Sequence, residues 1–290
     1  MAERKKGIAA LWGRLAGDRR KLRGAKKKYA SLLDSLRGLG EGGAAVAFSG
    51  GADSTLLLYA AHEALGARCI AVTARSVFFP AEEAEAAEEL AGQIGARHVF
   101  LDVDVLKVPG VAENPPERCY FCKRALLGAV KDSAARRGFA CVLEGGNADD
   151  ADDYRPGARA VKELGVRSPL AEAQLTKPEI RALSRAFGLP TADKPSAACL
   201  ASRFAYGETL TAADLERVEE AERYLRTLGL TQFRVRTAGG DARIEALPSE
   251  TGAVMAHSAE IEARLRALGF RFVSLDLGGY KTGSMNRGLR

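Results

Sequence analysis

The sequence predicts an α/β protein, a doubly wound parallel sheet followed by a second, smaller α/β domain. Three observations predict it. Between residues 44 and 147, short apolar runs of strand character alternate with helical segments, the pattern of a parallel sheet covered by helices. The first of those runs passes through Ser49-Gly50-Gly51-Ala52-Asp53-Ser54 straight into a helix. From Leu210 onward the pattern becomes an amphipathic helix, two alternating strands, and a further helix and strand.

Taken in order, residues 1–26 form a basic extension with little to bury besides Leu11, Trp12 and Leu15. Tyr29 to Leu39 has leucines at helical spacing and stops at Gly40-Glu41-Gly42-Gly43, a glycine-rich helix terminus. Ala44 to Phe48 is the first strand, and Thr55 to Ala61 belongs to a buried helix. Cys69–Ala74 is a second strand, Ala81 to about Ile94 an Ala/Glu-rich helix, and His98–Val103 a third strand. Asn114-Pro115-Pro116 cannot be mid-helix, so helical character is expected to resume at about Phe121 and last to Arg137. Ala140–Asn147 is a fourth strand running into Gly145-Gly146. In the second domain a helix carries Leu215, Val218, Ala221, Tyr224, Leu225 and Leu228. Strands follow around Phe233–Arg236 and Ala242–Ala246, then a helix from Ala253 to Leu268 and a strand from Phe270 to Leu277. The expected division is 1–26, 27–205 and 206–290.

With 47% hydrophobic and 28% charged residues, the chain has the composition of a globular protein with a real core. No apolar run reaches membrane-spanning length and no secretory core is present at the N-terminus, so a cytoplasmic protein without membrane association is expected. Five cysteines are an odd number in such a chain and point to reduced thiols or metal ligands more than to disulfides. The net charge of +6 suits a polyanionic ligand. Much of it sits in Arg4-Lys5-Lys6, Arg19-Arg20-Lys21 and Lys26-Lys27-Lys28, which read as a solvated, partly helical face more than a nucleic-acid patch.

Strand, glycine turn and helix start make an anion site: glycines let the backbone approach a ligand, and the first N–H groups of the helix are unpaired. An ordinary turn capped by Ser or Asp is the plainer alternative. The common phosphate loop requires Gly-Lys-Ser/Thr after four spacer residues, and here no Lys follows. In a doubly wound sheet ligands bind beyond the carboxyl ends of the strands, where this loop and Gly145-Gly146-Asn147 would converge.

Cys119-Tyr120-Phe121-Cys122 and Cys199 are the chemically suggestive cysteines. A Cys-x-x-Cys pair is shared by zinc sites, redox pairs and clusters. None of His62, His98 and His257 is beside them in sequence to complete a structural zinc site, whereas three thiolates can hold a four-iron cluster with one iron open. Cys69 and Cys141 lie inside apolar strands and read as core residues.

Several motifs occur in one order: Ser-Gly-Gly-Ala-Asp-Ser at 49–54, Asn-Pro-Pro-Glu-Arg-Cys-Tyr-Phe-Cys-Lys at 114–123, Asp152-Asp153-Tyr154-Arg155-Pro156-Gly157, Ala198–Arg203, Gln232–Arg236 and Leu275–Asn286. Together they resemble the ATP-dependent sulfur transferases of nickel-pincer cofactor synthesis, the LarE family of PP-loop ATP pyrophosphatases, whose fold is Rossmann-like. The likeness covers roughly residues 29–288. It implies adenylation of the carboxylates of pyridinium-3,5-biscarboxylic acid mononucleotide and replacement of one oxygen of each by sulfur. By resemblance Ser49, Gly50, Gly51 and Ser54 cradle ATP phosphates and Asp53 also holds Mg2+. Cys119, Cys122 and Cys199 match the cluster-binding triplet of one kind of member and imply a [4Fe-4S] cofactor. In the other kind a single cysteine at the position of Cys199 surrenders its own sulfur. Arg234 and Arg236 match residues holding the mononucleotide phosphate, and Glu245 and Glu222 match acidic residues near the reacting groups. The resemblance also implies a homo-oligomer. The sulfide donor is left unidentified.

Gly239-Gly240 predicts a two-residue hairpin turn, which sets Arg234 opposite Glu245 and Arg236 opposite Arg243, away from Phe233, Val235 and Ile244. Opposed arginines repel, and a bound phosphate would relieve this; a solvated strand face is the alternative. Asp149, Asp150, Asp152 and Asp153 read as solvated loop charges or magnesium ligands. Lys123 is either a charge stabiliser or an exposed helix residue, and Arg155 a weaker anion ligand. Lys194 and Arg203 are candidates to favour a Cys199 thiolate. A cluster-dependent tRNA thiolase and a non-enzymatic metal- or RNA-binding protein are the rival functions. The first predicts tRNA-dependent adenylation; the second predicts no pyrophosphate release and no effect of Asp53→Ala.

Overall fold

The computed structural model describes residues 22–152, 156–195 and 198–281, except for the side chains of 151 and 152. The runs Arg4-Lys5-Lys6 and Arg19-Arg20-Lys21, the Asp152 side chain, Asp153, Tyr154, Arg155, Ser196-Ala197 and the stretch from Thr282 onward lie outside the described residues. No described helix is long and apolar enough to cross a membrane.

Two compact units emerge. One holds the described residues up to Ala74 with Glu82–Leu101 and Leu126–Ser196; the other holds Arg75–Ala81, Asp102–Ala125 and the described residues from Ala197.

In the first unit, helix α1 occupies 22–37, earlier than the leucine spacing alone suggests, because Ala25 and Tyr29 are buried on the same face as Leu32, Leu33 and Leu36. Strands β1 (Ala44–Ala47), β2 (Cys69–Arg75), β3 (Arg97–Asp102) and β4 (Cys141–Leu143) form one sheet in the order β3-β2-β1-β4. Strand β1 pairs in parallel with both β2 and β4. Side chains alternate across it as strand geometry requires. Ala44 and Val46 join a core with α1, helix α2 (Ala52–Leu65) and helix α3 (Ala81–Ile94). Ala45 faces the other core, with Leu127, Val130 and Ala134 of helix α4 (Arg118–Arg136) and Val161 of helix α5 (Gly157–Glu163). Apolar residues on both faces explain why β1 and β2 read as continuous apolar runs. Short helix α6 (Pro169–Glu172) leads to α7 (Lys177–Ala186).

Helix α4 begins at Arg118, two residues after Pro116, so both Cys119 and Cys122 are helical, one turn apart. Expected as one strand, Ala140–Asn147 is a strand only over Cys141–Leu143; Glu144 to Asn147 is irregular and leads into a short 3-10 helix from Ala148.

The second unit contains helix α8 (Ala212–Thr227), strands β5 (Phe233–Ala238) and β6 (Asp241–Ala246), helices α9 (Thr251–Ala256) and α10 (Ser258–Ala267), and strand β7 (Val273–Leu275). The sheet order is β5-β6-β7, with the first pair antiparallel and the second parallel. The hairpin register is the one the Gly-Gly turn predicts: Arg234 opposes Glu245 and Arg236 opposes Arg243. Gly239 and Gly240 have φ of 57° and 87°, the pair of positive values that suits a tight hairpin. The helix expected over Ala253–Leu268 is broken at His257, whose φ of −104° and ψ of 16° leave the helical region and restart the chain as α10.

Candidate active site

The sheet order puts the reversal of strand sequence between β1 and β4, the switch point at which an open α/β sheet leaves a crevice. The loops leaving those two strands meet there. Gly50 has φ of 66°, and a Cβ on it would sit 3.3 Å from the Cα of Ala87. Gly145 passes so close to the start of α2 that a Cβ would lie 3.1 Å from Ser54 N. Both glycines are therefore sterically dictated. Ser49 Oγ and Ser54 Oγ are 3.1 Å apart, and Ser54 Oγ donates to the Gly51 carbonyl at 3.1 Å, tying the turn together. Gly51 caps α2 without a side-chain acceptor, so the first N–H groups of a fourteen-residue helix are left for an anion.

Asp53 gives that opening its chemistry. Its Oδ2 accepts from Lys177 Nζ at 2.7 Å and from Asn147 Nδ2 at 3.4 Å. Its Oδ1 is buried and has no hydrogen-bond partner among the described residues. An orphaned carboxylate oxygen beside an anion cradle fits a hard cation that takes oxygen ligands and bridges to phosphate. Lys177 supplies the cation that the Ser49–Ser54 sequence lacks. It opens α7, where Thr176 and Glu179 form a capping box, Lys28 Nζ holds Glu179 at 2.7 Å, and Lys177 N donates to Asp149 Oδ2 at 2.8 Å. Asp149 and Asp150 accept backbone N–H groups within this turn. Lys194, considered for Cys199, instead donates to the Gly50 carbonyl at 3.2 Å and pairs with Glu83 at 2.6 Å. Sequence reasoning missed Lys177; its only local signal is the helix start Thr176-Lys177-Pro178-Glu179.

In the second unit, Cys119 and Cys199 are exposed and Cys122 is half-buried. Burial pushes the Cys122 thiol up to about 12, with the neighbouring Cys199 and Cys119 adding to the shift and Arg118 opposing it. Cys119 and Cys199 are thus near enough to Cys122 for their charge to act on it. Thiolates are the donor type that iron–sulfur clusters take, but among the described residues no set of three or more His, Cys, Asp or Glu side chains is arranged to hold a metal ion. In the first unit Cys69 is buried in β2 and Cys141 half-buried in β4. Lys123 is half-buried on α4.

A cavity of about 350 Å³ opens against β5 and β6, lined among others by Ser202, Arg203, Arg236, Arg243, Glu245 and Ser274. Arg203 and Glu222 form a buried fork at 2.9 and 2.8 Å, and Glu222 also accepts from Val235 N at 3.0 Å. Glu245, 2% exposed, is reached by Arg236 at 3.1 Å and Arg243 at 3.3 Å. The repulsion of the opposed arginines is thus relieved from within, by a glutamate lying between them. Arg234 does not line the cavity: it lies over the Tyr280 ring at 5.2 Å and donates to the Phe233 carbonyl at 2.6 Å. Burial lowers its affinity for the proton, Arg203 and Arg236 nearby acting the same way. Of the two arginines singled out in the sequence, Arg236 reaches the cavity. Arg243, set opposite Arg236 by the hairpin register, joins it there, as does Arg203, which the sequence suggests only as a neighbour of Cys199.

Residues 43–112 match the family model described as queuosine biosynthesis protein QueC. "Uncharacterized protein slr1717" of Synechocystis is 44% identical over 84% of this chain and 92% of its own length. "Uncharacterized protein MJ0830" of Methanocaldococcus jannaschii is 28% identical over 82% of this chain and 90% of its own. "Pyridinium-3,5-bisthiocarboxylic acid mononucleotide synthase" of Lactiplantibacillus plantarum is 40% identical over 89% of this chain and 94% of its own. A phosphate loop at the switch point of a parallel sheet, over a segment that matches QueC, agrees with that likeness. The chain belongs to the LarE family of PP-loop enzymes, that of pyridinium-3,5-bisthiocarboxylic acid mononucleotide synthase.

Proposed function

We propose that this enzyme uses ATP to activate the carboxylates of pyridinium-3,5-biscarboxylic acid mononucleotide and exchanges an oxygen of each for sulfur, giving the bisthiocarboxylic precursor of the nickel-pincer nucleotide. The observation that carries the reading is the 40% identity to the named synthase across 89% of the chain.

The physical chemistry follows from the residues. The N-terminus of α2 and the Ser49, Gly50, Gly51 and Ser54 loop take the phosphates of ATP, with Lys177 offsetting their charge. Asp53 would hold Mg2+, which neutralises and orients the triphosphate when bound. A substrate carboxylate oxygen attacks the α-phosphorus and pyrophosphate leaves, making an acyl-adenylate. Sulfur then attacks the acyl carbon and AMP departs, a good leaving group where a carboxylate oxygen was a poor one. The phosphate of the mononucleotide is assigned to the cavity of Arg203, Arg236 and Arg243, since guanidinium forks match phosphate geometry. Glu222 and Glu245 act here by fixing those guanidiniums. Arg234 is kept as a support of the same wall. Cys119, Cys122 and Cys199 would hold a [4Fe-4S] cluster, which supplies a transferable sulfide when bound.

The test counts sulfurs transferred per chain after anaerobic reconstitution with iron and sulfide, in excess ATP and sulfide. More than one per chain, abolished in Cys119→Ala, is the expected result. At most one, with Cys199 lighter by the mass of hydrogen sulfide, would replace the cluster by sacrificial transfer. No transfer despite ATP binding would overturn the proposed substrate.

A further inference from the structure

Arg118 is 2% exposed and opens α4. One terminal nitrogen donates to the Ala201 carbonyl at 2.9 Å and to Asn114 Oδ1; the other lies 3.7 Å from Cys119 Sγ. None of these partners is a carboxylate, and among the described residues Arg118 forms no ion pair. The other buried arginine of the same unit, Arg203, is fully matched by the Glu222 fork. A guanidinium stays charged at any ordinary pH, and a buried charge without a counter-charge is costly. Arg118 is therefore held at a cost, and its surroundings hold it firmly. Asn114 is wholly buried with φ of 52°. Its Nδ2 donates to the Ala205 carbonyl at 2.6 Å, and its own carbonyl accepts from Gly207 N at 2.8 Å. The same guanidinium thus touches the helix start carrying Cys119 and Cys122 and the turn that follows Cys199.

We propose that Arg118 is a positioning residue of the three-cysteine site, tying the start of α4 to the Cys199 turn and keeping a fixed positive charge beside the Cys119 sulfur. The charge makes the site favour small anionic reagents over neutral ones of the same size, so the sulfur it receives is carried by an anion of the hydrosulfide class. The functional half of this rests on reading the cysteines as holders of the sulfur-carrying cluster; the charge itself is measured without sulfur transfer, so the two can fail separately.

The experiment alkylates the full, reduced chain with iodoacetate and with iodoacetamide, which differ chiefly in charge, and follows each cysteine by peptide mass. In Arg118→Met the iodoacetate-to-iodoacetamide rate ratio at Cys119 is expected to fall about threefold to tenfold, the scale of one nearby charge in a partly aqueous setting. In Arg118→Lys it should stay within about twofold of the parent, and at Cys141 it should not change in either variant. A merely structural role would move both reagents together and leave the ratio constant, which would overturn the proposal. Should Arg118→Met fail to fold, Asn114→Asp decides, because it sets a carboxylate against the retained guanidinium. A lowered ratio at Cys119 supports the fixed charge, and an unchanged one rejects it.

Discussion

The glycine loop of the first unit and the arginine cavity of the second, to each of which we assign a phosphate, treat charge in opposite ways. At the loop, a carboxylate oxygen of Asp53 is buried with no hydrogen-bond partner among the described residues, and the α2 start has no side-chain cap. In the cavity, each buried glutamate is already engaged by arginine: Glu222 by Arg203, and Glu245 by Arg236 and Arg243. The loop is therefore completed only by its ligand, while the cavity is completed by its own side chains and presents pre-set guanidiniums. Preorganised donors lose little on binding; an unsatisfied carboxylate would instead make binding depend on a cation.

That contrast predicts different kinds of damage. The largest effect should come from breaking the cavity's internal pairing. Glu222→Ala leaves Arg203 buried and unmatched and should cost about 3–5 kcal/mol of stability, read as a lower urea midpoint; a loss well under ~1 kcal/mol would show the pair to be replaceable. At the loop the damage should fall mainly on chemistry. Asp53→Asn should slow ATP–pyrophosphate exchange by roughly 100-fold or more and lower the melting temperature only slightly, since Oδ1 contributes no hydrogen bond and the charge lost from the partly exposed Lys177 pair is worth about 1 kcal/mol or less. A melting temperature that falls in step with activity would remove the distinction between the two sites. The smallest effect is expected at the cavity rim. Arg243 is 55% exposed in its side chain, so Arg243→Ala should change stability by about 1 kcal/mol or less. Its ion pairs with Glu245 and Asp276 are screened by salt, and calorimetric titration of the mononucleotide should show weakened binding all the same.

What the sequence disclosed tracks how local each determinant is. The hairpin register was legible because two adjacent glycines demand a particular turn, and strand alternation then assigns every face. Ser49–Ser54 was legible because strand, turn and helix start are contiguous. Lys177 was not, since it reaches Asp53 across the fold and its own segment reads only as a capped helix start. The role of Glu245 was half visible. Its position opposite Arg234 followed from the register, yet its diagonal contact with Arg236 depends on side-chain reach, which a pairing scheme omits. Arg118 was visible only as part of the Cys-x-x-Cys motif, because its burial becomes apparent only once the Ala201 and Ala205 segments fold against Asn114.

Helix α4 belongs to both units, its first turns to the second and the remainder to the first. For a chain emerging from the ribosome this sets an order of events. Cys119 and Cys122 are synthesised inside the first unit's stretch of sequence, whereas Cys199 follows after a delay of about 4–15 s at ordinary elongation rates. The first unit can close around its sheet during that interval, but the second must wait for its own C-terminal strands. The thiols are thus brought together late, so a group held by all three would be received by the finished protein rather than by the nascent chain.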